Sequence, residues 1–192
     1  MITPLLIGLS HSMETDHVVA VGNLVRIRRS FREEAILGAT WGLGHTCSVM
    51  IGALSLSFVK NFIVFPEGFS FELLVGVMMV VIGIYRLFIL TRRDEEKSSS
   101  GNKVLFFNVG VVHGLAGSGS IAAMLAGSVE NQQEQILFLL LFGLGTIIGM
   151  GIITAAMTRL RFLQPQYLTW FSCLIAGCSF IYGIKIITEQ LY

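Results

Sequence analysis

Charge is what this sequence has least of: Asp, Glu, Lys and Arg make up 13% of 192 residues, against 54% hydrophobic. A soluble domain carries about 25% charged residues, so that class is excluded and an all-α integral membrane protein is expected. Cysteine is scarce as well. Cys47, Cys173 and Cys178 fall in apolar segments without CxxC spacing and read as small residues in helix packing. No Gly-Lys-Ser/Thr loop is present to cradle phosphate, which argues against ATP hydrolysis by this chain, and no HExxH pair is present. The first apolar run has no basic residue ahead of it and carries polar residues where a signal peptide is hydrocarbon. A permanent helix is expected there.

What is present is apolar length. A spanning helix needs about 20 mostly apolar residues, and six segments qualify: 2–24, 34–59, 70–91, 104–128, 136–158 and 167–189. Positive charge follows the first span (Arg26, Arg28, Arg29, Arg32), the third (Arg92, Arg93, Lys97, Lys103) and the fifth (Arg159, Arg161). Arg86 lies at the same end of the third span, and only Lys60 and Lys185 lie on the other side. The positive-inside rule makes the basic connections cytoplasmic and both termini non-cytoplasmic, and the short loops fit a bacterial or archaeal inner (plasma) membrane. The polar stretch 92–103 then acts as a cytoplasmic linker between residues 1–91 and 104–192.

Those two halves resemble each other. "IGLSHSMETDHVVAV" aligns with "VGVVHGLAGSGSIAA", placing His11 on His113; "GLGHTCSVMIGAL" aligns with "GLGTIIGMGIITA", placing His45 on Thr146; "VIGIYRLF" aligns with "IYGIKIIT", placing Gly83 on Gly183. The offsets are 102, 101 and 100 residues. With three spans per unit, the second copy enters from the opposite face, giving two inverted three-helix repeats of the kind secondary transporters use, with the substrate site near the midplane.

All four histidines and two acids fall inside expected spans: His11, Glu14, Asp16, His17, His45 and His113. Ionisable groups in hydrocarbon are costly, so such a set points to a polar site rather than to packing. On a regular helix His11, Glu14 and His17 share an arc about 120° wide, but His11 and His17 are about 9 Å apart along the axis. Either the helix is unwound around Ser10 to Asp16 or the two histidines act at successive stations. Asp16 turns inward only in the first case; in the second it orients His17 or meets solvent. Imidazole with carboxylate suits Ni, Co, Zn and sometimes Mn or Fe, and suits Cu(I) poorly. Cys47 lies about 200° round the helix from His45, too far to share its ion. In "GVVHGLAGSGS", Gly110 and Gly114 form a GxxxG pair, which reads either as close helix packing or as a broken helix contributing His113 and Ser118. Trp41 and Trp170 anchor or pack, with nothing in the sequence to choose.

The spacing of His11, Asp16 and His17 matches the HX4DH signature of the nickel/cobalt transporter family, and "LGHTCSV" resembles its second conserved stretch at His45. "GATWGLGHT" and "HGLAGSGS" are more similar still to its short six-span relatives, described as nickel-transport or urease-accessory-like membrane proteins. The resemblance implies carriage of a divalent transition metal, with His11, Asp16, His17 and His45 as binding residues. The expected function is therefore a secondary carrier of nickel or cobalt, not an enzyme. Its metal is cargo rather than a resident cofactor, its partners are that ion and the bilayer, no nucleic acid is involved, and self-association is left open. A membrane metalloenzyme, or a carrier of another solute using the cluster as a proton relay, are the alternatives.

Overall fold

The computed structural model describes residues 2–26, 29–59, 71–92, 102–115 and 131–191. Among these residues the chain is wholly helical: α1 (Thr3–His11), α2 (Thr15–Leu24), α3 (Phe31–Val59), α4 (Phe71–Arg92), α5 (Lys103–Leu115), α6 (Gln132–Met157) and α7 (Pro165–Leu191), with a 3-10 turn at Thr158–Phe162. Stretches 72–90, 132–160 and 166–191 are long and apolar enough to cross a membrane. At 1.5 Å per residue, α3 reaches about 43 Å. The expected span 104–128 is described only as far as Leu115, and the linker interior and Ser118 lie outside the described residues.

Local chemistry sets the helix starts. Ser30 and Glu33 form a capping box: the Ser30 N–H donates to Glu33 Oε2 and the Glu33 N–H to Ser30 Oγ, each at 3.2 Å. Asn102 Oδ1 accepts from the Leu105 N–H at 3.1 Å and Asn131 Oδ1 from the Gln133 N–H at 3.0 Å, so α5 and α6 are capped in the same way. Glu34, fully buried, draws the chain before α3 inward. Its Oε1 accepts from the Arg26 N–H at 3.0 Å and Arg29 Nη1 at 3.2 Å, while Thr154 Oγ1 donates to its carbonyl at 2.8 Å.

The helices meet through missing side chains. α3 packs on α6 and α5, α1 on α6, and α4 on α7. A Cβ on Gly8 would collide with the Phe142 carbonyl, one on Gly110 with that of Trp41, one on Gly44 with that of Phe107 and one on Gly145 with that of Leu5. Close backbone approach of this kind is how helices associate in lipid, where no hydrophobic force draws them together. Val21, Val25, Leu37, Trp41, Phe106, Val109 and Met150 fill the main core. Large apolar side chains such as Ile51, Val81, Phe88, Ile152, Trp170 and Ile181 face outward, whereas His17, His45, His113, Thr146 and Thr154 are buried. Apolar outside and polar inside is the pattern of a protein dissolved in lipid.

Candidate metal centre

The first apolar segment is two helices, not one, and the interruption builds the site. α1 ends at His11, the Ser12 to Glu14 stretch turns, and Glu14 adopts an extended conformation (φ −60°, ψ 147°) before α2 begins. The N–H groups of the turn itself are paired: the Ser12 N–H donates to the Gly8 carbonyl, Met13 to Ser10 and Glu14 to His11, all at 3.0–3.1 Å. The break also cancels the separation a straight helix would impose. His11 and His17 ring centroids lie 4.5 Å apart, edge to face.

Other helices complete the cluster. His45 of α3 stands 5.2 Å, centroid to centroid, from both His11 and His17, and His113 of α5 stands 5.3 Å from His17. Trp41, one turn before His45, stacks on its ring at 5.4 Å and 18°, and touches His17 and His113 at 4.9 and 5.2 Å. All four imidazoles are buried, three of them to within 1% exposure.

Hydrogen bonds assign the nitrogens. His11 Nδ1 lies 2.8 Å from Glu14 Oε1, so its N–H points at the carboxylate and Nε2 presents a lone pair toward His45 Nε2, 3.3 Å away. His113 Nδ1–H donates to the Val109 carbonyl at 3.2 Å, which likewise leaves Nε2 as the open donor atom. Carboxylate or carbonyl behind an imidazole is the usual support of a metal-ligating histidine. Asp16 Oδ1 is 3.0 Å from His17 Nδ1, but off hydrogen-bond alignment. Both nitrogens of His17, Nδ1 of His45, Nε2 of His113 and Nε1 of Trp41 are buried without a hydrogen bond.

Unmatched buried polar atoms cost about 1–3 kcal/mol each, and a cation bound by the imidazoles would engage the one lone pair that each neutral ring offers. The spacing fits one. Metal–nitrogen bonds of 2.0–2.1 Å in a tetrahedron put donors about 3.3–3.4 Å apart, the separation of His11 Nε2 from His45 Nε2. Donor atoms gather into two sets, each within 4.8 Å: His11, His17 and His45, and Asp16, His17 and His113.

All six expected site residues thus come together, in differentiated positions. Glu14 is half-exposed and backs His11, and Asp16, mostly buried, sits beside His17. Cys47 joins neither set. Trp41 was ambiguous from sequence and proves fully buried against the cluster, whereas Trp170 is 76% exposed. The helical signal for Trp41 was its position four residues before His45. Thr146, aligned with His45, instead ties α6 to α1: its Oγ1 donates to the carbonyls of Phe142 at 3.1 Å and Gly8 at 3.3 Å.

Apolar spanning helices wrapped around a buried imidazole cluster define a helical membrane protein with a candidate cation site at its core. The chain is 30% identical to urease accessory protein UreH of Bacillus sp. (strain TB-90), over 97% of its own length and 92% of that protein's. It belongs to that family. It is also 28% identical to the chloroplast proteins FOR GROWTH AND FERTILITY 2 and 1 of Arabidopsis thaliana, over 96% and 91% of this chain and 55% of each of theirs, so it spans about half their length. No family model and no solved structure matches it.

Proposed function

We propose that the chain is a secondary carrier that moves a divalent transition-metal ion, nickel or cobalt, across a bacterial or archaeal inner membrane, the ion resting between two inverted three-helix repeats. The observation that carries this reading is the break at Ser12 to Glu14, which brings His11, His17 and His45 within coordinating reach inside an apolar shell. A discontinuous helix at a buried polar site is the architecture of alternating-access carriers. The resemblance of the HX4DH spacing to nickel/cobalt transporters and membership in the UreH family support the same cargo.

The helix contacts support the repeat. Gly8 against Phe142 becomes Gly110 against Trp41 under shifts of 102 and 101 residues, and Gly44 against Phe107 becomes Gly145 against Leu5 under shifts of 101 and 102. Gly83 beside the Ala176 carbonyl and Gly183 beside that of Gly76 exchange under 100. Contacts that swap in this way are those expected of two copies related by an axis in the membrane plane. The basic residues after α2, in the linker and after α6 favour an orientation with both termini outside.

Each ligand must be deprotonated to bind, so acid on one side of the membrane releases the ion there. Nickel flux into proteoliposomes tests the reading. His11→Ala and His17→Ala are expected to abolish it while expression persists, and undiminished flux in both would overturn the site. Metal-independent proton conduction lost in the same variants would favour the relay alternative, for which the direct His11 to His45 contact is also suited.

A further inference from the structure

We infer that the cluster holds two ion stations, His11–His17–His45 and Asp16–His17–His113, which share His17 and are filled one at a time. The inference rests on the function proposed above and specifies how the cargo moves within the site. The donor atoms form two sets rather than one, and His17 is the member common to both. Neither of its nitrogens makes a hydrogen bond, and its ring, like that of His45, is fully buried. It stands between the others, 4.5 Å from the His11 ring, 5.2 Å from His45 and 5.3 Å from His113. An ion can keep this ligand while exchanging its remaining ones, and so shift without ever becoming bare in hydrocarbon.

The stations differ in charge and in origin. The first is built wholly from α1, α2 and α3 and its three donors are imidazoles; Glu14 is half-exposed and engaged with His11 Nδ1, and Asp16, 3.0 Å from His17 Nδ1, supplies no ligand to this set. A dication there has no anionic ligand. The second adds the carboxylate of Asp16 and takes His113 from α5, beyond the linker. Exchange of a neutral donor for an anionic one holds a dication more tightly in a low dielectric. Transfer between stations therefore passes the ion from one half of the chain to a site completed by the other, which is the step that rocking of the halves requires.

Cobalt(II) titration of the purified full-length protein, followed by ligand-field absorption, separates the possibilities. The wild type is expected to bind one cobalt per chain. His45→Ala and His113→Ala each leave one station and are expected to keep stoichiometric binding within about 10-fold of wild type, whereas His17→Ala damages both and is expected to weaken it by roughly 100-fold or more. His45→Ala and His113→Ala are also expected to lose cobalt flux in vesicles although they bind. His17→Gln, which preserves volume, accompanies His17→Ala; loss of binding in both at wild-type thermal stability assigns the effect to the ligand. Strong loss in His45→Ala with none in His113→Ala, or the reverse, would show a single three-ligand site and overturn the two-station arrangement alone. No cobalt binding by the wild type would overturn both this inference and the carrier function.

Discussion

Gly8→Ala is a one-methyl perturbation placed outside the cluster that should nonetheless dismantle it. Gly8 lies in α1, one turn before His11, and its missing side chain lets the helix rest directly on the Phe142 carbonyl of α6. A Cβ there would stand 2.8 Å from the Phe142 carbonyl carbon and closer still to its oxygen, and both belong to rigid backbone. The helix must withdraw by on the order of 1 Å, an overpacking change that costs about 1–3 kcal/mol. Because α1 ends at His11, the displacement carries over to the 3.3 Å contact with His45. Metal sites accept only about ±0.2 Å in their bond lengths, so loss of the His11 ligand follows, and with it loss of the His11–His17–His45 set and of nickel flux. The assay is nickel uptake into proteoliposomes together with thermal unfolding in detergent. Gly110→Ala should do the same to α5 at Trp41, whereas Gly52→Ala and Gly177→Ala, which meet nothing within 4 Å, should leave flux unchanged and stabilise by up to about 1 kcal/mol through helix propensity. Gly8→Ala with the flux and stability of Gly52→Ala would refute the packing argument.

Further outcomes follow from individual contacts. With Trp170→Phe, emission comes from Trp41 alone, whose ring stacks 5.4 Å from His45; titration with cobalt or nickel should quench it, and an unchanged spectrum at saturating metal would place the ion elsewhere. Glu14→Gln removes the carboxylate behind His11 Nδ1, and nickel flux into proteoliposomes should fall about 10- to 100-fold; no change would show that Glu14 does not orient the ring. Glu34→Gln leaves Arg29, whose side chain is 12% exposed, facing an uncharged partner. Unfolding should show a loss of about 2–4 kcal/mol, partly recovered by adding Arg29→Gln, and a neutral effect would mean the pair is solvated.

Much of the site could be read from residue types. Imidazoles and acids inside hydrocarbon announce a polar site wherever the helices run, and His11, Glu14, Asp16, His17, His45 and His113 all reach it. What the sequence could not decide was geometry. A helical wheel holds phase only while the helix continues, and three residues at Ser12 to Glu14 reset it, turning an expected separation of about 9 Å into a 4.5 Å ring contact. Unwinding was one of two readings the spacing allowed, and the structure has the narrower form of it. The partition of the acids was likewise hidden: both carboxylates lie within three residues of a histidine, and only the turn decides that Glu14 backs His11 while Asp16 reaches His17 and His113. Trp41 stayed undecided between anchoring and packing because an aromatic in an apolar span is uninformative until its neighbours are known. The glycines carried more than their composition suggested, since Gly8, Gly44, Gly110 and Gly145 mark the points where carbonyls of facing helices come closest.

Anomalous scattering from crystals of the nickel-loaded protein addresses the central claim most directly. The expected result is a peak about 2.0–2.1 Å from imidazole nitrogens of the cluster, with His17 among the ligands, and its disappearance in His17→Gln. A peak away from these residues, or histidines that keep their places with no ion among them at saturating nickel, would contradict it.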